Sequence, residues 1–338
     1  MTRPMLVALD WGTTSFRAFL VGEDRQVIDR NAGPHGILQT ADGDFDRAFE
    51  ALVGPWLAQH GPLLTLASGM IGSRQGWVEA PYAACPAGAG DLASQLVSTT
   101  TRSGRTVWFV PGVNRREAGR APDVMRGEEV QIIGAGALDR ATDGIHLLPG
   151  THSKWAILRE GRIAWFTTFM TGELFTLLRR HSILGRLMVD APAIDPAALN
   201  PTALDPAALD GASFARGVAF GLSTDDADGG LLRRLFSVRT LGLFDEVPAT
   251  GLADYLSGLL IGCELREARR SLEAIGAAWP DRLTVTGGAG LTSAYTSALG
   301  QAGIETIRHG DEATLSGLIE IATVAGLLST ARDITPGR

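Results

Sequence analysis

Cysteine is nearly missing from the 338 residues: Cys85 and Cys263 are the only two. They show neither CxxC spacing nor a neighbouring histidine cluster, which excludes a zinc site and a disulfide framework and leaves two reduced thiols. Positive charge is also short, with 30 Lys and Arg against 37 Asp and Glu and a formal net charge of -7. With few lysines and no basic tail, a nucleic-acid surface is excluded and a small partner is expected. No apolar run approaches the about 18 residues of a membrane span, and the run after Arg3 is cut by Asp10 too early for a signal peptide. The expected setting is the cytoplasm, with no membrane partner.

What is present is the mixture of a globular enzyme: 45% hydrophobic and 20% charged residues, with 42 glycines. The chain is long for one core, so two domains of about 150 residues and a cleft between them are expected. The stretch from Leu6 to Arg30 organises the first. An apolar strand ends on Asp10, a turn of Gly12, Thr13, Thr14 and Ser15 follows, and a second strand runs from Phe16 to Val21. A carboxylate at a strand end beside such a turn can hold a hydrated Mg²⁺, and glycine lets backbone NH groups approach phosphate oxygens. Taken alone, the turn is as readily an ordinary solvated one.

Farther along, residues 26–30 extend the meander, 44–59 carry helical spacing and 63–67 read as a buried strand. Three strands, a helix and a strand are the order of a mixed sheet, so the class is α/β. The next loop, residues 68–82, sets Ser73, Arg74, Trp77, Glu79 and Tyr82 at a strand's carboxyl end, where α/β folds place ligand contacts. A surface loop with a packed Trp is the plainer reading. A strand at 106–110 and a polar loop at 113–124 lead to a helix that opens with Glu128 and Glu129, where carboxylates suit the helix dipole.

The second half repeats the opening. Residues 145–149, the turn Gly150-Thr151-His152-Ser153-Lys154 and residues 155–159 again give strand, glycine-hydroxyl turn and strand, a diverged repeat that implies two similar domains whose turns grip one polyphosphate. Lys154 is either a point charge for a phosphate or an ordinary turn lysine. Helices are expected at 172–184, 214–222, 230–236 and 253–275, with short turns in the Asp/Asn-Pro repeat at 195–211. A strand at 283–286 runs into Gly287 and Gly288, a turn able to press against a flat adenosine group. A strand at 306–309 and a helix at 312–328 close the chain.

The two hairpins and the late Gly-Gly turn, in that order, resemble the phosphate-1, phosphate-2 and adenosine motifs of the actin and sugar-kinase superfamily. Within it, DWGTTSFRAF, GMIGSRQGW, MRGEE, LPGTHSKW, TGELF and SGLLIG are similar to the 2-dehydro-3-deoxygalactonokinase family over nearly the full length. The resemblance implies two actin-like, ribonuclease H-like domains with mixed sheets flanked by helices, here divided as residues 1–140 and 141–338. It implies ATP and Mg²⁺ as cofactors, a 2-keto-3-deoxy sugar acid as substrate and transfer to its 6-hydroxyl. Nucleotide contacts then fall on Gly12, Thr13, Thr14, Gly150, Thr151, His152, Ser153, Lys154, Gly287 and Gly288, and the metal on Asp10. The sugar-acid contacts fall on the loop, with Arg74 gripping the carboxylate. In related kinases the general base is an Asp at the start of the helix before the second hairpin. The usual Asn-Asp pair is missing here; Glu128 stands in the matching place and Asp123 is the alternative. A polyphosphatase-like phosphohydrolase of the same superfamily is the competing function, disfavoured by the negative charge, and a homodimer is an open option.

Overall fold

The structure is a computed structural model and describes residues 2–189 and 210–328. The proline repeat, up to residue 209, therefore lies outside the described residues. Its first half holds β1 (Pro4–Trp11), β2 (Phe16–Gly22), β3 (Val27–Gly33), α1 (Phe45–His60), β4 (Leu64–Ser68), β5 (Tyr82–Ala84), β6 (Ala87–Gly88), α2 (Ala89–Ala93), β7 (Val97–Thr100), β8 (Thr106–Phe109), β9 (Gly112–Arg115), β10 (Asp123–Met125) and α3 (Glu128–Asp139). Then come β11 (Gly144–Leu148), β12 (Ser153–Arg159), β13 (Arg162–Phe169), α4 (Thr171–His181), α5 (Gly211–Leu222), α6 (Leu231–Leu235), α7 (Ser237–Leu243), α8 (Leu252–Ala274), β14 (Arg282–Thr286), α9 (Ala289–Gln301), β15 (Glu305–His309) and α10 (Asp311–Val324).

Two six-stranded sheets carry the architecture. One runs β3-β2-β1-β4-β8-β7 and the other β15-β14-β11-β12-β13-β6. In the first, β1, β2 and β3 form an antiparallel meander, and β4 and β8 lie parallel to β1. In the second, β11 has β14 and then β15 parallel to it on one side. Its other side carries β12 and β13, joined by connections too short for anything but antiparallel pairing. With the edge strands β7 and β6 set aside and the other five of each sheet numbered in chain order, both sheets read 3-2-1-4-5, so the repeat seen in the turns recurs in strand order.

Local chemistry explains the elements that frame the first sheet. Helix α1 starts where Asp44 accepts from the amide of Arg47 at 3.1 Å and stops at Gly61. Its buried positions Phe45, Phe49, Val53 and Leu57 recur every four residues. Strand β1 is buried from Leu6 to Leu9 on both faces, as expected of a strand between two covered faces. Trp11 packs edge-on to Phe16 at 5.0 Å and to Phe45 at 6.0 Å, and its indole donates to the His35 carbonyl. Each such buried side chain contributes about 1.5–3 kcal/mol.

Contacts divide the chain into two compact units. The first is Met1–Gly144, Ala156–Phe166 and Asp311–Arg338; the second is Ile145–Trp155 and Thr167–Gly310. The expected division after residue 140 differs from this one. Helix α10 packs along α3 and also touches α2, β1 and β4, so this helix folds with the first unit. In the second unit α5 packs along α8. Residues 113–124, expected as a polar loop, instead contain β9 and β10, which with β5 make a small separate sheet in the order β10-β9-β5. Strands of three or four residues are too short to show the alternation by which strands are recognised.

Candidate functional site

In the first unit the turn after β1 is fixed through its carbonyls. Gly12, Thr13 and Thr14 accept from Ile37, Leu38 and Gly36 at 3.0, 3.2 and 3.2 Å, and the Gly12 amide donates back to Ser15. Among the described residues no acceptor takes the amide N–H of Thr13 or Thr14. The turn therefore presents donors outward, the arrangement that binds anions. Asp10 stands immediately before it, nearly buried, with Oδ2 in a short ion pair with Arg17. Arg17 reaches on to Asp311 at 2.6 Å, and Asp10 is the first cause of its raised pKa.

Two glycines bring the start of α3 towards this carboxylate. A Cβ on Gly69, which holds φ +91°, would lie 3.3 Å from Asp10 Oδ1. A Cβ on Gly127, at φ +107°, would lie 3.2 Å from the Gly69 Cα. Only glycine sits without strain in this region of φ, so a side chain at either place would open the gap. Past Gly127, Glu128 accepts from the Arg126 amide at 3.0 Å and Glu129 accepts from the Gly127 amide with both oxygens at 2.8 Å. Glu128 is partly exposed; Glu129 is fully buried. Burial first, and the Glu128 charge next, push the Glu129 carboxyl up from 4.5 to about 8, against the Gly127 amide, which favours its ionised form. The buried Glu129 carboxyl therefore resists ionisation.

The other predicted residues fall unevenly around this centre. Asp123 lies on β10 opposite Arg115, with its carboxylate on the Val124 amide. Ser73 is buried and accepts from the Gln75 amide. Arg74 and Glu79 form an exposed ion pair at 3.3 Å, the two side chains 86% and 60% accessible. Trp77, expected at the ligand, is half-buried, and its ring packs against Phe49 and Phe109 at 5.6 and 5.9 Å. Tyr82 lies beneath the Arg126 guanidinium, 4.2 Å from its ring centroid. Arg126 was not singled out from sequence, although it is buried and donates to Ala80.

In the second unit the turn after β11 repeats the pattern. Gly150, Thr151 and His152 carry amide N–H groups that no described residue accepts, while the Thr151 carbonyl accepts from Glu173 at 2.9 Å. The first residues of α4 brace this turn. A Cβ on Gly172 would stand 2.4 Å from the Gly150 carbonyl oxygen, and Glu173 pairs with His152 at 2.5 Å. Gly287 follows β14, and a Cβ there would lie 3.4 Å from the Pro149 carbonyl, so the Gly287-Gly288 turn and the second hairpin are neighbours. Both stand at the carboxyl ends of adjacent parallel strands. Lys154, the only lysine of the chain, is buried with Nζ on the Thr168 hydroxyl at 2.8 Å.

Behind these turns is a residue that sequence reading missed. Glu264, in the middle of α8, accepts four hydrogen bonds. Ser153 and the Trp155 indole donate to Oε1 at 2.7 and 2.8 Å; Tyr295 donates to Oε2 at 2.6 Å, and Thr171 to the same oxygen at shorter range. Burial pushes its carboxyl up and the four donors pull it down, while burial and the carboxylate hold Tyr295 well above its ordinary 10. A carboxylate amid the apolar run SGLLIGCEL was the available signal, since a buried charge requires partners.

Two sheets that share the five-strand order 3-2-1-4-5, each with a glycine-hydroxyl turn after its first strand, and a glycine turn after β14 define the actin-like, ribonuclease H-like class to which many sugar kinases belong. A model of the 2-keto-3-deoxy-galactonokinase family matches residues 10–321. A protein of Rhizobium meliloti (strain 1021), named as a probable 2-dehydro-3-deoxygalactonokinase, DgoK1, is 34% identical, with 97% of each chain covered. The 2-dehydro-3-deoxygalactonokinase of Escherichia coli (strain K12) is 32% identical over 94% of this chain and 97% of its own. A crystal structure from Sinorhizobium meliloti that carries the same name provisionally superposes with a TM-score of 0.80 at 32% identity, covering 96% of this chain and all of that one. The chain belongs to the 2-keto-3-deoxy-galactonokinase family.

Proposed function

We propose that the protein transfers the γ-phosphoryl group of ATP to the 6-hydroxyl of 2-dehydro-3-deoxy-D-galactonate. The observation that carries this reading is the family match from residue 10 to residue 321, which takes in both donor-bearing turns, Asp10 and the acidic start of α3. Phosphoryl transfer requires positioning and charge neutralisation more than covalent help from the protein. The free amides of Thr13 and Thr14, and those of Gly150, Thr151 and His152, suit phosphate oxygens; Gly287 and Gly288 suit the adenosine. Ser153 and Lys154 support the second turn from beneath, and Lys154 can add a positive charge if it leaves Thr168.

The donor set fits Mg²⁺ through water. Oδ2 of Asp10 is taken by Arg17, whereas Oδ1 faces Gly69 without a protein donor among the described residues. No group of three His, Cys, Asp or Glu that could hold a metal ion occurs among the described residues, so one carboxylate oxygen, water and the phosphates would complete the shell, as is common for this ion. Bound there, Mg²⁺ would supply charge neutralisation at the phosphates. Glu128, partly exposed, takes the proton of the 6-hydroxyl as its oxygen bonds to the γ-phosphorus and the bond to the bridging oxygen breaks, releasing ADP. Arg74 can leave its exposed pair with Glu79 at little cost and grip the substrate carboxylate, with Ser73, Glu79 and Tyr82 around it. A cytoplasmic setting and a homodimer belong to the same proposal; fractionation and light scattering check them.

Coupled ADP release across C6 aldonic and 2-keto-3-deoxy acids tests the function. Turnover with 2-dehydro-3-deoxygalactonate well above its epimers is expected. ATP hydrolysis at a rate no sugar acid alters would support a phosphohydrolase, for which the comparisons give no support.

A further inference from the structure

We infer that Glu264 is a positioning residue for the nucleotide: one buried carboxylate sets the second phosphate turn, the helix that braces it and the helix behind the adenosine turn. The inference rests on the nucleotide-binding reading given above. It stands on where the four donors come from. Ser153 is the residue directly after His152, and its hydroxyl meets Oε1 at 2.7 Å. Thr171 directly precedes Gly172, where an added Cβ would stand 2.4 Å from the Gly150 carbonyl oxygen, and its hydroxyl meets Oε2. The donor-bearing turn is thus fixed on both sides by the two oxygens of one side chain. Tyr295 lies on α9, which begins at Ala289 directly after Gly287-Gly288, and it meets Oε2 at 2.6 Å. Trp155 adds its indole N–H at 2.8 Å and is itself stacked on Trp279 at 5.6 Å between ring centroids.

A carboxylate buried this deeply is an expensive way to hold three elements together. Apolar residues of similar volume often stabilise a core as well or better, so stability alone does not explain an acid here. What a carboxyl group with four hydrogen-bond partners does supply is geometry: four side chains converge on its two oxygens, and a shift of any one element breaks a hydrogen bond. The network lies wholly in the second unit, whereas Arg74 and Glu128 lie in the first. Its loss should therefore be felt by ATP and not by the sugar acid.

The test uses Glu264→Gln, Thr171→Val and Tyr295→Phe in the full chain, each first shown to be folded by circular dichroism, with ADP titration and steady-state kinetics. Glu264→Gln turns one acceptor into a donor among donors. It should raise the ADP Kd and the KM for ATP at least ten-fold while the KM for the sugar acid stays within about two-fold. Thr171→Val keeps the Glu264 carboxyl and removes one donor, and should weaken ADP less; adding it to Glu264→Gln should do little more, because the two act in one network. A folded Glu264→Gln or Thr171→Val that binds ADP as the wild type does, or moves both KM values equally, overturns the inference and leaves the kinase reading standing. Wild-type protein that binds no ADP overturns both.

Discussion

Replacing Gly172 by alanine places a methyl group where the structure has no room for one. The added carbon would stand 2.4 Å from the Gly150 carbonyl oxygen and 3.0 Å from the Thr151 Cα, so one partner must retreat by about 1 Å to reach ordinary van der Waals separation. Helix α4 is tied to Glu264 through Thr171, whereas Thr151 and His152 are exposed, so the turn is what moves. With it go the Glu173 amide bond to the Thr151 carbonyl and the His152–Glu173 contact. Overpacking costs about 1–3 kcal/mol, but a displacement of about 1 Å at a reacting phosphate can cost roughly 100-fold in rate. We expect kcat/KM for ATP to fall about that much, with the KM for the sugar acid unchanged and a melting temperature lowered by only a few degrees. Gly300→Ala is the control, because a Cβ there meets nothing within 4 Å. If folded Gly172→Ala uses ATP as the wild type does, this turn does not hold the nucleotide.

Other substitutions separate the remaining roles. Asp10→Asn should leave a folded protein whose turnover is lower by orders of magnitude; unchanged turnover with unchanged Mg²⁺ dependence removes the metal role. Arg74→Ala should raise the KM for the sugar acid roughly ten- to a hundred-fold, the loss of a charge-assisted pair worth about 1.5–3 kcal/mol, and leave the KM for ATP alone. Glu128→Gln should lower kcat at least about a hundred-fold, and an active Glu128→Gln beside a dead Asp123→Asn would move the base to Asp123. Glu129 predicts a pH effect. Its folded pKa of about 8 lies above the ordinary 4.5, so between those values the unfolded chain is the more ionised and deprotonation favours unfolding. Its contribution to stability is thus present below pH 4.5 and lost as the pH rises towards 8. Glu129→Gln should flatten the fall in melting temperature across that window, and an unaltered slope would contradict the buried neutral carboxyl.

Much of the fold was legible because periodicity and turn chemistry are local. Strands β1 and β2, the β11–β12 hairpin, α1 and the Gly-Gly turn after β14 stand where residue pattern placed them. What sequence did not reveal depends on partners far along the chain. Trp77 sits in a polar loop and reads as a ligand contact, and its ring packing against Phe49 and Phe109 depends on residues 28 and 32 positions away. Helix α10 follows the second half in sequence and packs on α3 of the first. The acidic pair at the start of α3 was visible, but burial, which no local pattern gives, distinguishes Glu129, whose carboxyl resists ionisation, from the partly exposed Glu128. Glu264 is the sharpest case, since its four donors come from positions 31 to 111 residues away.

The most direct test of phosphoryl transfer is phosphorus NMR of the reaction of the purified protein with ATP, Mg²⁺ and 2-dehydro-3-deoxygalactonate. ADP should appear together with an equal amount of one phosphomonoester whose phosphorus couples to the two protons on C6. Orthophosphate in place of that ester, or an ester on another carbon, would contradict the account.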